Sequence, residues 1–184
     1  QGLTIAGTGS NSTQEVMHAM KRTWNLGLKN FLLVDPYYNG PSSLEIRKEY
    51  IEPIAKRFPE AQIIPYVIPG RTGTQLLPQD LATLHSQFAN VRAVKEATGN
   101  IENMKLTRKL CGKDFDILSG DDDKTFEMMS SPDIKSSGVI SVASNVAPKA
   151  VQNMVQYILD GKLDKALKLN EALKPLFSIV TVKT

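Results

Sequence analysis

Several places in the chain put a reactive side chain where a short apolar run ends. The run Val91 to Val94 passes straight into Lys95, within Lys95-Glu96-Ala97-Thr98-Gly99-Asn100. Alternation along a strand sends Val91, Ala93 and Lys95 to one face and Arg92, Val94 and Glu96 to the other. If the Ala93 face is an interior one, an amine at the last strand position is partly desolvated, which enlarges its neutral, nucleophilic fraction. Such an amine condenses with a ketone, and the protonated imine then acts as an electron sink for making or breaking a C–C bond. The alternative is a solvated lysine just past a strand end. Tyr66 lies in Pro65-Tyr66-Val67-Ile68-Pro69-Gly70-Arg71-Thr72-Gly73, where a phenol can shuttle protons to a reacting carbonyl or carbinolamine. A core tyrosine is the competing reading. Arg71 follows a Pro-Gly turn, and a guanidinium fork there suits a carboxylate, although a surface arginine is equally compatible with the turn. Asp35-Pro36-Tyr37-Tyr38-Asn39-Gly40-Pro41 is a proline-bounded loop stiff enough to project a ring, unless the tyrosines simply pack over it.

These residues need elements to position them, and the chain supplies one alternation, repeated. Apolar runs at 3–6, 31–34, 62–68, 91–94, 115–118 and 139–143 are each followed by turn residues and then by a helical pattern. Ser12 or Thr13 caps the first helix and Gly27 ends it. Ser42 and Ser43 precede the second, Pro78 starts the third, Asn100 caps the fourth, Asp121 to Asp123 begin a shorter fifth, and Pro148 opens the sixth. A further helix follows from Leu163. Strand, turn and helix in regular succession predict an α/β chain of parallel strands with crossover helices. An open doubly wound sheet would mark its ligand site with a glycine-rich turn, but Ala6-Gly7-Thr8-Gly9 matches the dinucleotide fingerprint only in part. Polar residues after nearly every run favour a (β/α)8 TIM barrel, whose site is assembled from all the loops on one face. A whole barrel takes eight strands and about 250 residues. This chain has 184 residues, enough for about six of the eight βα units.

Composition narrows the function classes. The chain is 41% hydrophobic and 22% charged with a net charge of +3, which predicts an ordinary globular protein with no basic stripe for nucleic acid. One cysteine, Cys111, excludes an internal disulfide framework and a cysteine metal cage. His18 and His85 sit on predicted helices away from the strand ends, so no metal is expected. Without an apolar run of about 18 residues or a leader-like start, the reading is a soluble cytoplasmic protein with no membrane partner.

Lys95 in Lys-Glu-Ala-Thr-Gly-Asn, Tyr66 and Arg71 in Tyr-x-x-Pro-x-Arg-Thr-Gly, and Pro36-Tyr37-Tyr38-Asn39 occur with Ile5 to Gly9, Leu118 to Asp122 and Gly138 to Val142. Together and in order they resemble the dihydrodipicolinate synthase family, pyruvate-dependent class I aldolases that also include N-acetylneuraminate lyase. The resemblance implies a TIM-barrel lyase that condenses pyruvate with L-aspartate 4-semialdehyde to 4-hydroxy-tetrahydrodipicolinate in lysine biosynthesis. It implies that residues 1–162 form barrel strands three to eight and that 163–184 start a C-terminal helical region. Lys95 would form the imine with pyruvate, Tyr66 would relay protons, and Arg71 would hold the carboxylate of the incoming semialdehyde. Tyr38 would cross a dimer interface to complete the partner's relay, in a homodimer or a dimer of dimers (a homotetramer). Gly120 and Ile140 would line the pyruvate pocket, and Asn11, Glu15 and Tyr37 match a lysine feedback site found in some members. No cofactor is implied beyond the covalent imine.

The chain also departs from that pattern. The family's Gly-Thr-Thr-Gly-Glu loop has no counterpart here, and Val67 stands where the family commonly has Asn. Such a chain would be a fragment of a full enzyme or a truncate with little activity, and an inactive homologue serving as a binding module is the reading of a different class. A neuraminate or sugar-acid lyase would share the lysine and tyrosine, but relatives of that kind generally lack an arginine at the place of Arg71, which favours the synthase.

Overall fold

The computed structural model describes residues 3–179. The chain divides into two compact units, 1–116 and 117–184. The first holds β1 (Ile5–Gly7), α1 (Thr13–Asn25), β2 (Asn30–Val34), α2 (Ser43–Glu45), α3 (Glu52–Arg57), β3 (Gln62–Val67), α4 (Pro69–Thr72), α5 (Pro78–Gln87), β4 (Ala93–Glu96) and α6 (Ile101–Cys111). Its strands pair in chain order and in parallel, β1 with β2, β2 with β3 and β3 with β4. A doubly wound sheet reverses direction around its first strand, whereas unbroken consecutive order is the barrel's arrangement. The α/β class and the (β/α) barrel type read from the sequence are thus the observed ones.

The helix signals act as expected. Ser12 caps α1 by accepting from the Glu15 N–H, and Ser42 caps α2 in a reciprocal box in which Glu45 accepts from the Ser42 N–H at 2.8 Å. Asn100 caps α6 through the N–H groups of Glu102 and Asn103. Between α2 and α3 the helix widens into a π turn, Ile46–Ile51. Pro53 has no N–H to offer back along the helix, and the Glu49 carbonyl takes the Thr13 hydroxyl at 2.8 Å instead. That bond also fixes α1 to the π turn. Gly9 is required by contact: a Cβ there would meet the backbone N and Cγ1 of Val34.

One strand lies two residues later than its apolar run. β4 is Ala93–Glu96, not 91–94, because the Val91 N–H closes a turn onto the Phe88 carbonyl. Hydrophobicity at Val91 reports burial rather than strand pairing, so Lys95 lies within the strand, one place before its end.

The second unit opens at β5 (Asp116–Ser119), followed by a 3-10 turn Asp122–Lys124, α7 (Thr125–Ser130), β6 (Gly138–Val139), a 3-10 turn Ala143–Asn145, α8 (Pro148–Leu159) and α9 (Leu163–Ile179). β5 and β6 are parallel, with Leu118 opposite Gly138. α8 and α9 pack through Val151, Met154, Ile158, Ala166, Leu173 and Phe177, all buried. The helix expected from Leu163 is therefore part of this unit's core, and residues 180–184 of that expectation lie outside the described residues. β6 is shorter than the run 139–143 because the Asp122 carboxylate accepts from the N–H groups of both Val142 and Ala143, at 2.9 and 2.8 Å, and turns the chain out of the strand. Asp121 to Asp123, read as a helix start set by the macrodipole, thus contain a loop anchor. Cys111 closes α6 as a buried thiol.

Candidate active site

Register brings the two strand residues together. Tyr66 on β3 is directly opposite Lys95 on β4, and Val34 on β2 is opposite Tyr66. Residues in register on parallel strands point to the same face. The Lys95 Nζ stands 3.8 Å from the centroid of the Tyr66 ring, and the lysine is only 7% exposed. A buried amine on an aromatic face is held by the ring quadrupole rather than swept through solvent. The solvated alternative for Lys95 therefore fails. What remains is a fixed nitrogen beside a half-buried phenol, a pair equipped to add an amine to a carbonyl and move protons around it.

One residue further along each strand lies a second row, Asp35, Val67 and Glu96, on the opposite face. The Asp35 N–H bonds the Tyr66 carbonyl at 3.0 Å, and the Ala97 N–H bonds the Val67 carbonyl at 2.9 Å, so the ladder continues through this row. Glu96 is 2% exposed. Its carboxylate accepts from the Thr98 N–H at 2.8 Å and the Asn103 amide at 3.0 Å, and Asn103 in turn accepts from Gln75. Asp35 is fully buried. One of its oxygens accepts from the Leu76 N–H at 3.0 Å and the other, Oδ1, has no partner. Burial pushes this carboxyl up to about 7; the Leu76 bond opposes the rise and the charge of Glu96 adds to it. Sequence reasoning passed over both carboxylates. A lone Asp closing the apolar run Phe31 to Val34 was the available signal.

The loop residues stand apart from the strand pair. Tyr38 is 90% exposed at φ 81°, a left-handed backbone that a tyrosine rarely adopts. The loop thus does project a ring, rather than packing it. Arg71 is exposed on α4, which ends in a left-handed Gly73 at φ 70°. Asn11 and Tyr37 line one small pocket of about 160 Å³ together with Glu45, Glu49 and Tyr50. Glu15 is not among its lining residues: it sits exposed in the first turn of α1. Burial raises the Tyr50 phenol, which donates to the Val34 carbonyl at 3.1 Å and accepts from the Ser10 N–H at 3.3 Å.

In the second unit, Gly120 is buried directly after β5, and the Ile140 N–H bonds the carbonyl of the preceding Ser119 at 2.9 Å. These two predicted residues are therefore neighbours. Ser119, fully buried, accepts from the Thr125 hydroxyl at 3.0 Å and fixes the turn they share. Among the described residues no cluster of three or more His, Cys, Asp or Glu has metal-binding geometry. His18 is exposed on α1, while His85 is tied to the Val91 carbonyl at 2.8 Å. No described helix is long and apolar enough to cross a membrane.

Residues 3–184 match the model of the Dihydrodipicolinate synthetase family. The 4-hydroxy-tetrahydrodipicolinate synthase of a Cyanothece species is 40% identical over 180 residues, 98% of this chain and 60% of that protein. The structure of the 4-hydroxy-tetrahydrodipicolinate synthase of Methylacidiphilum fumariolicum superposes with a TM-score of 0.92 at 36% identity, over 98% of this chain and 58% of that one. The dihydrodipicolinate synthase of Acinetobacter baumannii, solved in complex with pyruvate, gives 0.89 at 32% identity over 98% and 60%. The chain thus spans about 60% of the length of the curated relatives it matches.

Proposed function

This chain belongs to the dihydrodipicolinate synthetase family, and from that premise we propose that it carries the imine-forming centre of a synthase that condenses pyruvate with L-aspartate 4-semialdehyde to 4-hydroxy-tetrahydrodipicolinate. The observation that carries the reading is the Lys95 amine, buried on the face of Tyr66 with its Nζ 3.8 Å from the ring centroid. In this reading Lys95 adds to the pyruvate ketone, and the carbinolamine loses water to give an iminium. Loss of a proton from the pyruvate methyl carbon then gives an enamine that attacks the aldehyde of the second substrate. Tyr66 passes protons during these steps. Gly120 and Ile140 border the pyruvate, and Arg71, exposed and forked, takes the carboxylate of the semialdehyde. The covalent imine replaces any cofactor.

Tyr38 is assigned to the relay of a second copy, in a homodimer or dimer of dimers; its exposed ring and left-handed backbone support that role. Asn11 and Tyr37, which share a pocket, are assigned to feedback binding of lysine, and Glu15, exposed outside the pocket's lining, is assigned to the same role. The six strands are taken as strands three to eight of the barrel, and the setting as the cytoplasm. The test is borohydride reduction with pyruvate followed by peptide mapping. A reduced adduct on Lys95 is the expected result, and an adduct that persists in Lys95→Ala overturns the assignment.

A further inference from the structure

The segment 35–43, which carries Tyr38, and the segment 71–77, which carries Arg71, are joined by three bonds. The tyrosine loop, 36–41, leaves β2 at Asp35, and the loop that follows Arg71 runs through 73–77 into α5. The Leu76 N–H donates to the Asp35 carboxylate, the Thr74 hydroxyl donates to the Pro41 carbonyl, and the Leu77 N–H donates to the Ser43 hydroxyl at 2.8 Å. The Thr74 and Ser43 bonds join neutral groups. Asp35 is the only one of the three acceptors that can change charge.

We propose that Asp35 is a positioning residue, which through Leu76 holds the segment after Arg71 against the loop of Tyr38, and that its ionisation opens this contact because hydrating the buried charge outweighs the gain in the Leu76 bond itself. The inference rests on the synthase reading for what the two loops contact. Its geometry is independent of that reading. Asp35 is fully buried with Oδ1 lacking any partner, so the neutral acid fits the site: one oxygen accepts from Leu76 and the proton occupies the other. Ionisation leaves a buried charge with a single hydrogen bond, a state that draws in water or moves the chain. The groups that face it make this worse rather than better. Glu96 from β4 adds a like charge, and Tyr50 from the π turn already spends its hydroxyl proton on the Val34 carbonyl. Because burial places the ionisation near neutrality, the coupling would operate in the ordinary working range of an enzyme.

Amide exchange followed by mass spectrometry, corrected for the intrinsic pH dependence of exchange, reads the grip directly. Peptides covering 36–41 and 73–77 should exchange about tenfold faster well above neutral pH than well below it, as about 1.4 kcal/mol of loosened contact would give. Asp35→Asn keeps the shape and the acceptor for Leu76 and should make the profile flat. Thr74→Val cuts the bond to Pro41 but leaves Asp35 in place, so it should raise exchange at every pH and keep the inflection. A flat wild-type profile, or an inflection surviving in Asp35→Asn, overturns the proposal. The borohydride test on the wild-type protein separates the two readings: failure to trap pyruvate on Lys95 removes the synthase, while a pH-dependent loop transition that vanishes in Asp35→Asn still establishes the device.

Discussion

Lys95 and Tyr66 are mounted on strands, whereas Tyr38 stands on a loop and Arg71 on the one-turn helix α4 that leads into another, and the two pairs are held by different physics. The strand pair is set by register: once β3 and β4 align, Tyr66 and Lys95 stand directly opposite each other and the amine lies over the ring. The loop pair depends on side-chain ties, Asp35 to Leu76, Thr74 to Pro41 and Ser43 to Leu77. A ladder shares strain over many bonds, while three ties can be cut one at a time. The contrast separates two tasks. Under the proposed function, bond-making chemistry would sit on the rigid part and recognition of the second substrate where geometry can be adjusted.

The sharpest break of the comparison is Lys95→Ala. It should abolish the pyruvate adduct altogether while leaving the urea midpoint close to that of the wild type, since the strand ladder does not need the side chain. Next in size is the pH dependence of stability carried by Asp35. Its ordinary value is 3.8 and its folded value about 7, so between these the folded state keeps a proton that the unfolded state has lost. Stability from this group is complete below the lower value and falls as pH rises through the upper one, by at most about 4 kcal/mol. Urea midpoints across that window should decline in the wild type and stay level in Asp35→Asn; parallel curves would remove Asp35 from the account. Arg71→Ala should leave trapping by pyruvate intact and raise the KM for the semialdehyde about tenfold or more, the size of a lost charged hydrogen bond. Unchanged semialdehyde kinetics would detach Arg71 from recognition. The smallest effect is Ser42→Ala, which removes the cap of α2 and should cost about 1 kcal/mol in denaturant unfolding. A much larger cost would mean that the tyrosine loop is supported mainly from its helical end.

Much of this arrangement was legible before the structure. The alternation of short apolar runs and capped helices gave six βα units, because the period changes from two to 3.6 at each turn and the caps punctuate it. Lys95 and Tyr66 stood out as polar residues closing apolar runs. Their contact did not, since it depends on register between strands 29 positions apart, and no periodicity within either strand encodes register. The same blindness hid Asp35 and Glu96. A carboxylate in a sequence is read as surface by default, and only neighbouring strands and loops reveal that these two are walled in. Asp122 kept a second role hidden for a related reason: the three aspartates do begin a helical stretch, but the middle one also serves two N–H groups about twenty residues away. The offset of β4 arose because Val91 is buried by the turn after α5, and burial and pairing look alike in a hydrophobic run.

Cys111 has a practical consequence. It is the single cysteine of the chain, covered at the end of α6, and burial pushes its thiol up to about 11 against the opposing pull of Arg108. At neutral pH it is neither ionised nor reachable, so maleimide reagents will pass it by. This chain is thus already a silent background for fluorophores and spin labels. A cysteine introduced at the exposed Asn39 would be the reactive thiol of this chain, and a probe there would follow the tyrosine loop in real time without removal of Cys111.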